Sequence, residues 1–297
     1  MEAVVMESKI DLLCGYTCNN NCLFCFVKGR SQRDRTTEEV KSILNELKSD
    51  GCNLIFFNGG EPTIRSDFLE LVRYAKAIGI QHVCVTSNGR MFYYKEFAKE
   101  VAQAGLELVI ISIHGADSKT HDFLTQTPGS FAQTIQGMQN LINAGVLVTS
   151  NTTIVKQNYK QLPRIISMLS KFKLGWKQFI LVHPGGAAWQ NFEMVVPTIT
   201  EVTPYLHKAL SMKSAVNVGV EGIPYCFMQG YESFVKESQT RKLVGLGFRI
   251  DDVPKSRKEE AKIKSPECSG CRYNDECEGV WRAYAERYGL GELKPVK

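Results

Sequence analysis

The sequence predicts an α/β protein: six β-α units over residues 1–222, forming a barrel or a doubly wound sheet, followed by a small cysteine-rich extension over 223–297. Three observations predict it. Strand-like and helix-like patterns alternate through the first two-thirds of the chain. That rhythm stops near residue 222. The ten cysteines crowd towards the two ends, with none between Cys84 and Cys226.

The strand-like runs are IDLLCGY (10–16), NLIFFNGG (53–60), HVCVTSNG (82–89), LELVIISIHG (106–115), VLVTSNTTIV (146–155) and QFILVHPGG (178–186). They are rich in β-branched, aliphatic or aromatic residues, and most end in a glycine or polar turn. The near-continuous apolar character of LELVIISI predicts a strand buried on both faces, as in a parallel sheet. VNVGVEG (216–222) reads as a short seventh strand. Helix-like runs fall between them at 36–49, 66–79, 94–104, 131–144, 160–171 and 200–212. TTEEVKSILNEL opens on a threonine cap with acidic residues in its first turn. The run KSRKEEAKIK (255–264) reads as a solvated helix or linker. The tail CSGCRYNDECEGVWRAYAERYG is too short for an apolar core of its own, so a metal is the simplest staple.

The 297 residues are 43% hydrophobic and 23% charged, the balance of a globular protein, which excludes disordered and collagen-like classes. The net charge of +5 is mild and by itself does not argue for nucleic acid. No apolar run approaches the ~18 residues of a membrane span. The N-terminus, MEAVVMESKIDLL, lacks the pattern of a secretory signal, so a cytoplasmic location is expected. Cytoplasmic proteins do not keep disulfides, so clustered cysteines point to metal sites.

The first cluster is GYTCNNNCLFCFVKGR, with spacing Cys18-x3-Cys22-x2-Cys25. Three thiolates on one loop hold three corners of a 4Fe–4S cubane and leave the fourth iron open. A zinc knuckle borrowing Cys14 or a histidine is the alternative. Cys14, Cys52 and Cys84 read as inert thiols, the first and last in the core.

These residues resemble the radical S-adenosylmethionine (radical SAM) superfamily: Cx3CxxC with Phe24 before the last cysteine, at the end of a first strand. Further matches follow in order, each at the C-terminal end of an expected strand, the edge where barrel active sites form. NGGEPT supplies Gly59, Gly60 and Glu61, resembling the motif whose backbone and carboxylate hold the methionine amino group of SAM. TSNG offers Ser87 or Asn88 as a ribose partner. ISIHG places Ser112 near the methionine carboxylate, and SNTTIV offers Asn151. The resemblance implies a partial (β/α)6 barrel of the TIM type, in which SAM is cleaved to a 5′-deoxyadenosyl radical that abstracts a substrate hydrogen. Two positions depart from the pattern. His114 stands where many relatives have aspartate, and Thr125 where many have a SAM-contacting arginine.

The second cluster, Cys268-x2-Cys271-x5-Cys277, resembles the SPASM and twitch extensions of that superfamily. The fuller SPASM pattern has a further cysteine where this chain has Trp281. The resemblance therefore implies the shorter, twitch-like form with one auxiliary 4Fe–4S cluster and Cys226 as fourth ligand. Zinc held by the same four cysteines is the alternative.

Tyr16, Asn58, His114 and His183 are the substrate-side candidates at the strand ends. His114 and His183 are the candidate catalytic groups, suited to orienting a substrate or moving a proton. Trp189 is a candidate for stacking. Lys255, Arg257 and Lys258 read as a solvated face. The expected function is hydrogen abstraction from a small molecule such as a sugar, nucleotide or cofactor precursor, with the auxiliary cluster in electron transfer. The competing reading is a maturase of a peptide or protein side chain. Only 17 residues precede Cys18, too few for the leader-binding domain such maturases often carry. A metal-bearing RNA-binding scaffold is a third reading, though no RRM or KH motif is present. Flavodoxin or ferredoxin is the expected reductant.

Overall fold

The computed structural model describes residues 9–30 and 33–297; most of the N-terminal segment expected to lack a secretory signal lies outside the described residues. The body is a parallel sheet of β1 (Lys9–Leu13), β2 (Leu54–Asn58), β3 (His82–Ser87), β4 (Leu108–Ser112), β5 (Leu147–Ile154), β6 (Lys177–Leu181) and β7 (Val218–Glu221). The helices between them are α1 (Thr37–Ser49), α2 (Phe68–Ala77), α3 (Lys95–Gln103), α4 (Ser118–Thr125), α5 (Ser130–Asn143), α6 (Leu162–Leu169), the single turns α7 (Ala187–Gln190) and α8 (Phe192–Val195), and α9 (Ile199–Leu210). Each strand lies beside its sequence neighbour, as successive βα crossovers require. This is the expected partial barrel of six βα units, ending on the expected seventh strand.

Local chemistry starts the helices where the sequence placed them. Thr36 caps α1: its hydroxyl accepts from Glu39 N–H, and the Glu39 carboxylate accepts from Thr36 N–H at 2.8 Å. Thr198 and Glu201 form the same box at α9. The helices bury their apolar stripes against one face of the sheet, where Leu12, Ile55, Val83, Val109, Val148 and Phe179 are closed to solvent or nearly so. The other face lines the barrel, where Leu54, Phe56 and Cys84 pack with the partly buried Leu108 and Ile110. The run LELVIISI is thus fully covered on its helix side and half-covered on its barrel side. Cys14, Cys52 and Cys84 are buried, and burial pushes the Cys14 and Cys84 thiols up to about 12.

Beyond β7 the chain rejoins the sheet from the opposite edge. Val235 bridges Val220 of β7, and Lys236 N–H donates to Val220 O at 2.8 Å. A few residues later β8 (Thr240–Val244) pairs parallel with β1, starting at Thr240 opposite Lys9, and β9 (Arg249–Ile250) turns back on β8. Residues 235–240 therefore carry the chain across the gap between the two edges of the open barrel. The rest comprises α10 (Val253–Ser256), a π-helical turn at Arg257–Ala261, the small ladder of β10 (Lys262–Ile263) with β11 (Val280–Trp281), and α11 (Arg282–Tyr288).

Residues 255–264 correct the sequence expectation. Lys255 and Lys258 lie on the solvent side, but Arg257 is largely buried and the Lys262 side chain is wholly so. Arg257 pairs with Glu221 at 2.7 Å, Glu237 at 2.7 Å and Glu278 at 2.9 Å; Lys262 pairs with Glu237 at 3.2 Å and Glu278 at 2.5 Å. Cations in such a run can be buried because three carboxylates from distant segments meet them. Three acids face two cations, and burial together with Glu278 and Glu221 pushes the Glu237 carboxyl up to about 7 against the pull of Lys262 and Arg257.

Candidate active site

The loop after β1 carries Cys18, Cys22 and Cys25, all free thiols. It has no regular structure of its own and is pinned from outside. Asn21 N–H donates to Thr125 O at 2.9 Å and Leu23 N–H to Leu124 O at 3.0 Å, both at the end of α4. Asp34 accepts from the Tyr16 and Thr17 amides at 2.9 and 3.1 Å. Arg90, just past β3, donates to Asn19 O and to Asn20 Oδ1. Asn191 Nδ2 holds Leu23 O at 2.9 Å. The thiols lie close enough to disfavour one another's charge. Burial, with smaller repulsion from neighbouring thiolates, raises Cys18 to about 11 and Cys22 further. A bound cation would reverse this, because metal ligation needs the thiolate.

The glycines after β2 lie directly against this loop. Gly60 N–H donates to Gly15 O at 2.9 Å and Glu61 N–H to Thr17 O at 2.8 Å. A Cβ at Gly60 would fall 2.1 Å from Thr17 O, and one at Gly59, with φ +122°, 2.2 Å from Gly15 O. Only glycine allows that approach. The Glu61 carboxylate is buried and accepts four hydrogen bonds: from Thr63 N–H at 3.1 Å, Thr63 Oγ1 at 2.6 Å, Ser87 Oγ at 2.9 Å and Asn88 N–H at 2.6 Å. Burial raises its pKa in spite of them. Three of these donors meet Oε1 and one, Asn88 N–H, meets Oε2, and the carboxylate ties the β2 loop to the β3 loop. Ser87 is also engaged, accepting from Gly89 N–H at 3.0 Å. Asn88 Nδ2 reaches Asn19 Oδ1 at 2.6 Å and lies 4.0 Å from Cys18 Sγ.

Ser112 and Asn151 are register partners on β4 and β5. Asn151 Oδ1 is buried without a protein hydrogen-bond partner, an acceptor left for a ligand. The segments after β2 and β3 and the end of α4 thus converge on the cysteine loop, and a family model decides what the constellation is. The radical SAM superfamily model matches residues 12–169, just over half of the chain. The chain belongs to the radical SAM superfamily.

Membership implies a 4Fe–4S cluster and SAM as cofactors. Among curated relatives, this radical SAM protein is 31% identical over 183 residues to an AdoMet-dependent heme synthase of Oleidesulfovibrio alaskensis, covering 60% of this chain and 47% of that one. It is 27% identical over 204 residues to a probable GTP 3′,8-cyclase of Saccharolobus islandicus, covering 68% and 65%. The chain spans about half the length of the heme synthase it matches. A crystal structure of Streptococcus suis SuiB bound to its precursor peptide SuiA shares the fold, with TM-score 0.68 at 16% identity over 97% of this chain and 74% of that one.

The remaining site residues fall into two places. Phe24 is buried edge-on against His114, ring centroids 4.7 Å apart. His114 Nδ1 accepts from Thr153 N–H at 3.3 Å, and its own amide donates to His121 Nδ1 at 3.0 Å. Burial, then the neighbouring His121, lowers His114 to about 3, so both rings are neutral at ordinary pH. Thr125 bonds Ser130 Oγ at 2.7 Å, and its carbonyl caps Asn21. It therefore holds the loop through its backbone.

The second place is the extension. Cys226, Cys268, Cys271 and Cys277 line one small cavity, with Tyr225, Tyr273 and Lys264 in its wall. Tyr225 and Tyr273 stack at 4.7 Å. Burial raises the Cys226 thiol, and the charges of Cys277 and Cys268 add to it, so the four sulfurs share one space. His183 stands apart from that cavity, stacked between Phe26 at 4.3 Å and Trp281 at 3.8 Å. Trp189 packs edge-on against Phe192, under Arg287. Sequence reasoning passed over Arg90, Asp34 and Phe26. Only Arg90 carried a signal, as the residue following TSNG.

Proposed function

We propose that this protein is a cytoplasmic radical SAM enzyme that abstracts hydrogen from a small-molecule substrate of the cofactor-precursor or nucleotide class. The observation that carries the reading is the single loop of three thiols packed against a glycine cradle. Cys18, Cys22 and Cys25 would hold the 4Fe–4S cluster, with Asn88 and the Asn20 amide (3.4 Å from Cys18 Sγ) donating to sulfur. Gly59 and Gly60 would let the backbone approach the methionine end of SAM. Ser112 and Asn151 would offer it polar partners. The cofactors supply a 5′-deoxyadenosyl radical.

The Glu61 carboxylate would fix Ser87 and Asn88 and, through the open lone pair of Oε2, still offer an acceptor to the methionine amino group of SAM. The ribose role would then fall to the Asn88 side chain. The sequence relatives act on heme precursors and, in the probable cyclase, GTP, which favours the small-molecule class. SuiB favours a peptide, but at 16% identity it supports only the fold.

The extension would hold an auxiliary 4Fe–4S cluster on Cys226, Cys268, Cys271 and Cys277, serving electron transfer. Four sulfurs around one cavity, each free to meet its own iron, suit a cubane. Ten free cysteines suit a reducing compartment, and flavodoxin or ferredoxin would supply electrons.

The test is 5′-deoxyadenosine formation from SAM under anaerobic reduction. The wild type should form it, and the Cys18→Ala/Cys22→Ala/Cys25→Ala variant should not. Retained cleavage in that variant would overturn the reading. Stimulation of turnover by a tetrapyrrole precursor or a nucleoside triphosphate, and not by peptide pools, would support the small-molecule class. The reverse pattern would move the assignment to a maturase.

A further inference from the structure

A continuous column of rings and cations joins the two cysteine regions. The Arg30 guanidinium lies over Phe26 at 4.9 Å, and Phe26 follows Cys25 directly. Phe26 stacks on His183 at 4.3 Å and 21°, and His183 stacks on Trp281 at 3.8 Å and 9°. Arg257 and Lys262 each lie 5.0 Å from the Trp281 ring. The column begins beside the last cysteine of the N-terminal loop and ends four residues past Cys277.

Both ends are anchored. At the loop, Ala187 N–H donates to Cys25 O at 2.9 Å. Gly186 has φ +57°, and a Cβ there would lie 2.4 Å from Phe26 O and 2.5 Å from Cys25 O. A Cβ at Gly185 would lie 2.7 Å from the Phe26 ring. At the extension, Trp281 pairs with Lys262 in the β10–β11 ladder, and Lys262 and Arg257 are tied to Glu237, Glu278 and, through Arg257, to Glu221 of β7. Trp281 Nε1 is buried without a partner, so the ring is held by its faces. Trp281 does not line the cysteine cavity, and it stands where a fuller cysteine pattern has a ligand. The residue that would have served a second auxiliary cluster is turned towards the barrel.

We propose that His183 and Trp281 are positioning residues: through their stack the docked extension sets the geometry of the Cys18–Cys25 loop, so that SAM binding at that loop depends on the extension. This rests on the reading of the loop given above, but the coupling itself can be measured without it. Phe26 is 39% exposed, so after Cys25 the column and the Gly185–Ala187 contact are the loop's main restraints.

The first test is amide hydrogen exchange over residues 22–30 of the metal-free protein. Trp281→Leu and His183→Leu should each lose about ten-fold in protection, the scale of one aromatic pair, while Trp281→Phe and His183→Phe stay near wild type. The second is SAM affinity of the reconstituted protein, read by the shift of the cluster's EPR signal. Both leucine variants should bind SAM about five-fold or more weakly, with the iron content of the C-terminal site unchanged. The double leucine variant should add little to either single one. Unchanged exchange and affinity in both leucine variants would overturn the coupling, and so would equal losses in the phenylalanine variants. If Cys18, Cys22 and Cys25 bind no iron, the functional reading fails, while the exchange result still decides the coupling.

Discussion

Cys18, Cys22 and Cys25 reach their site from one short loop, whereas Cys226 meets Cys268, Cys271 and Cys277 only after the chain has crossed the barrel seam and returned. The first site borrows its rigidity. Amides, carbonyls and the Arg90 guanidinium from β2, β3 and α4 fix a loop with no regular structure. The second site makes its own wall from the segment that carries its cysteines. The contrast fits two chemistries. Three thiols on one loop would leave one corner of a cluster open for a second molecule. Four cysteines from two segments line one pocket, and a metal held by all four would be closed to substrate and favour structure or electron transfer.

The sharpest break between the sites is metal content. With Cys18, Cys22 and Cys25 all changed to alanine, 5′-deoxyadenosine formation should fall to background. Anaerobic reconstitution should still give about four irons per chain, one remaining cubane. About one zinc and no iron would turn the extension into a structural staple.

The next effect belongs to the buried charges that dock the extension. Lys262→Met leaves Arg257 as the one cation facing Glu221, Glu237 and Glu278 in this knot and should cost about 3 kcal/mol in chemical denaturation. Lys258→Met, on the solvent side of the same run, should stay within about 0.5 kcal/mol. Equal effects would mean the knot does not hold the extension in place. At the first site, Gly60→Ala forces a methyl onto Thr17 O and should cost about 2–3 kcal/mol, with SAM binding lost and the iron of the C-terminal site retained.

The smallest effect is acid sensitivity next to the first site. His121 is buried and its pKa is lowered to about 4 by burial, against a small opposing pull from Asp122. The unfolded chain takes up that proton near pH 6.5 and the folded one does not. Stability is therefore intact above pH 6.5 and falls as pH drops towards 4. Replacing His121 by glutamine should flatten the slope of unfolding free energy between pH 6 and 4 by about one proton, roughly 1.4 kcal/mol per pH unit. An unchanged slope would show that His121 is protonated in the fold.

Much of this was legible in one dimension. The six βα units follow from periodicity, the α1 start from Thr36 and Glu39, and the cysteine loop from its spacing, because each depends on residues a few positions apart. The roles of Glu61 and Ser87 were not legible. Both were expected to face the cofactor, and the hydrogen bonds that join them to each other and to Asn88 and Gly89 come only from the packing of β2 beside β3. The run at 255–264 misled for the same reason: Arg257 and Lys262 look solvated until Glu221, Glu237 and Glu278 are brought to them.

The sequence by itself determined the strand and helix order, the superfamily and the two groups of thiols, since short-range pattern and spacing encode them. Only the tertiary structure decided that the extension adds β8 to the β1 edge, that Cys226 shares a cavity with the later cysteines, and that His183 lies stacked between Phe26 and Trp281. Those contacts join residues far apart in the chain. Whether a charge or a ring at such a position is buried depends on what the rest of the fold brings to it.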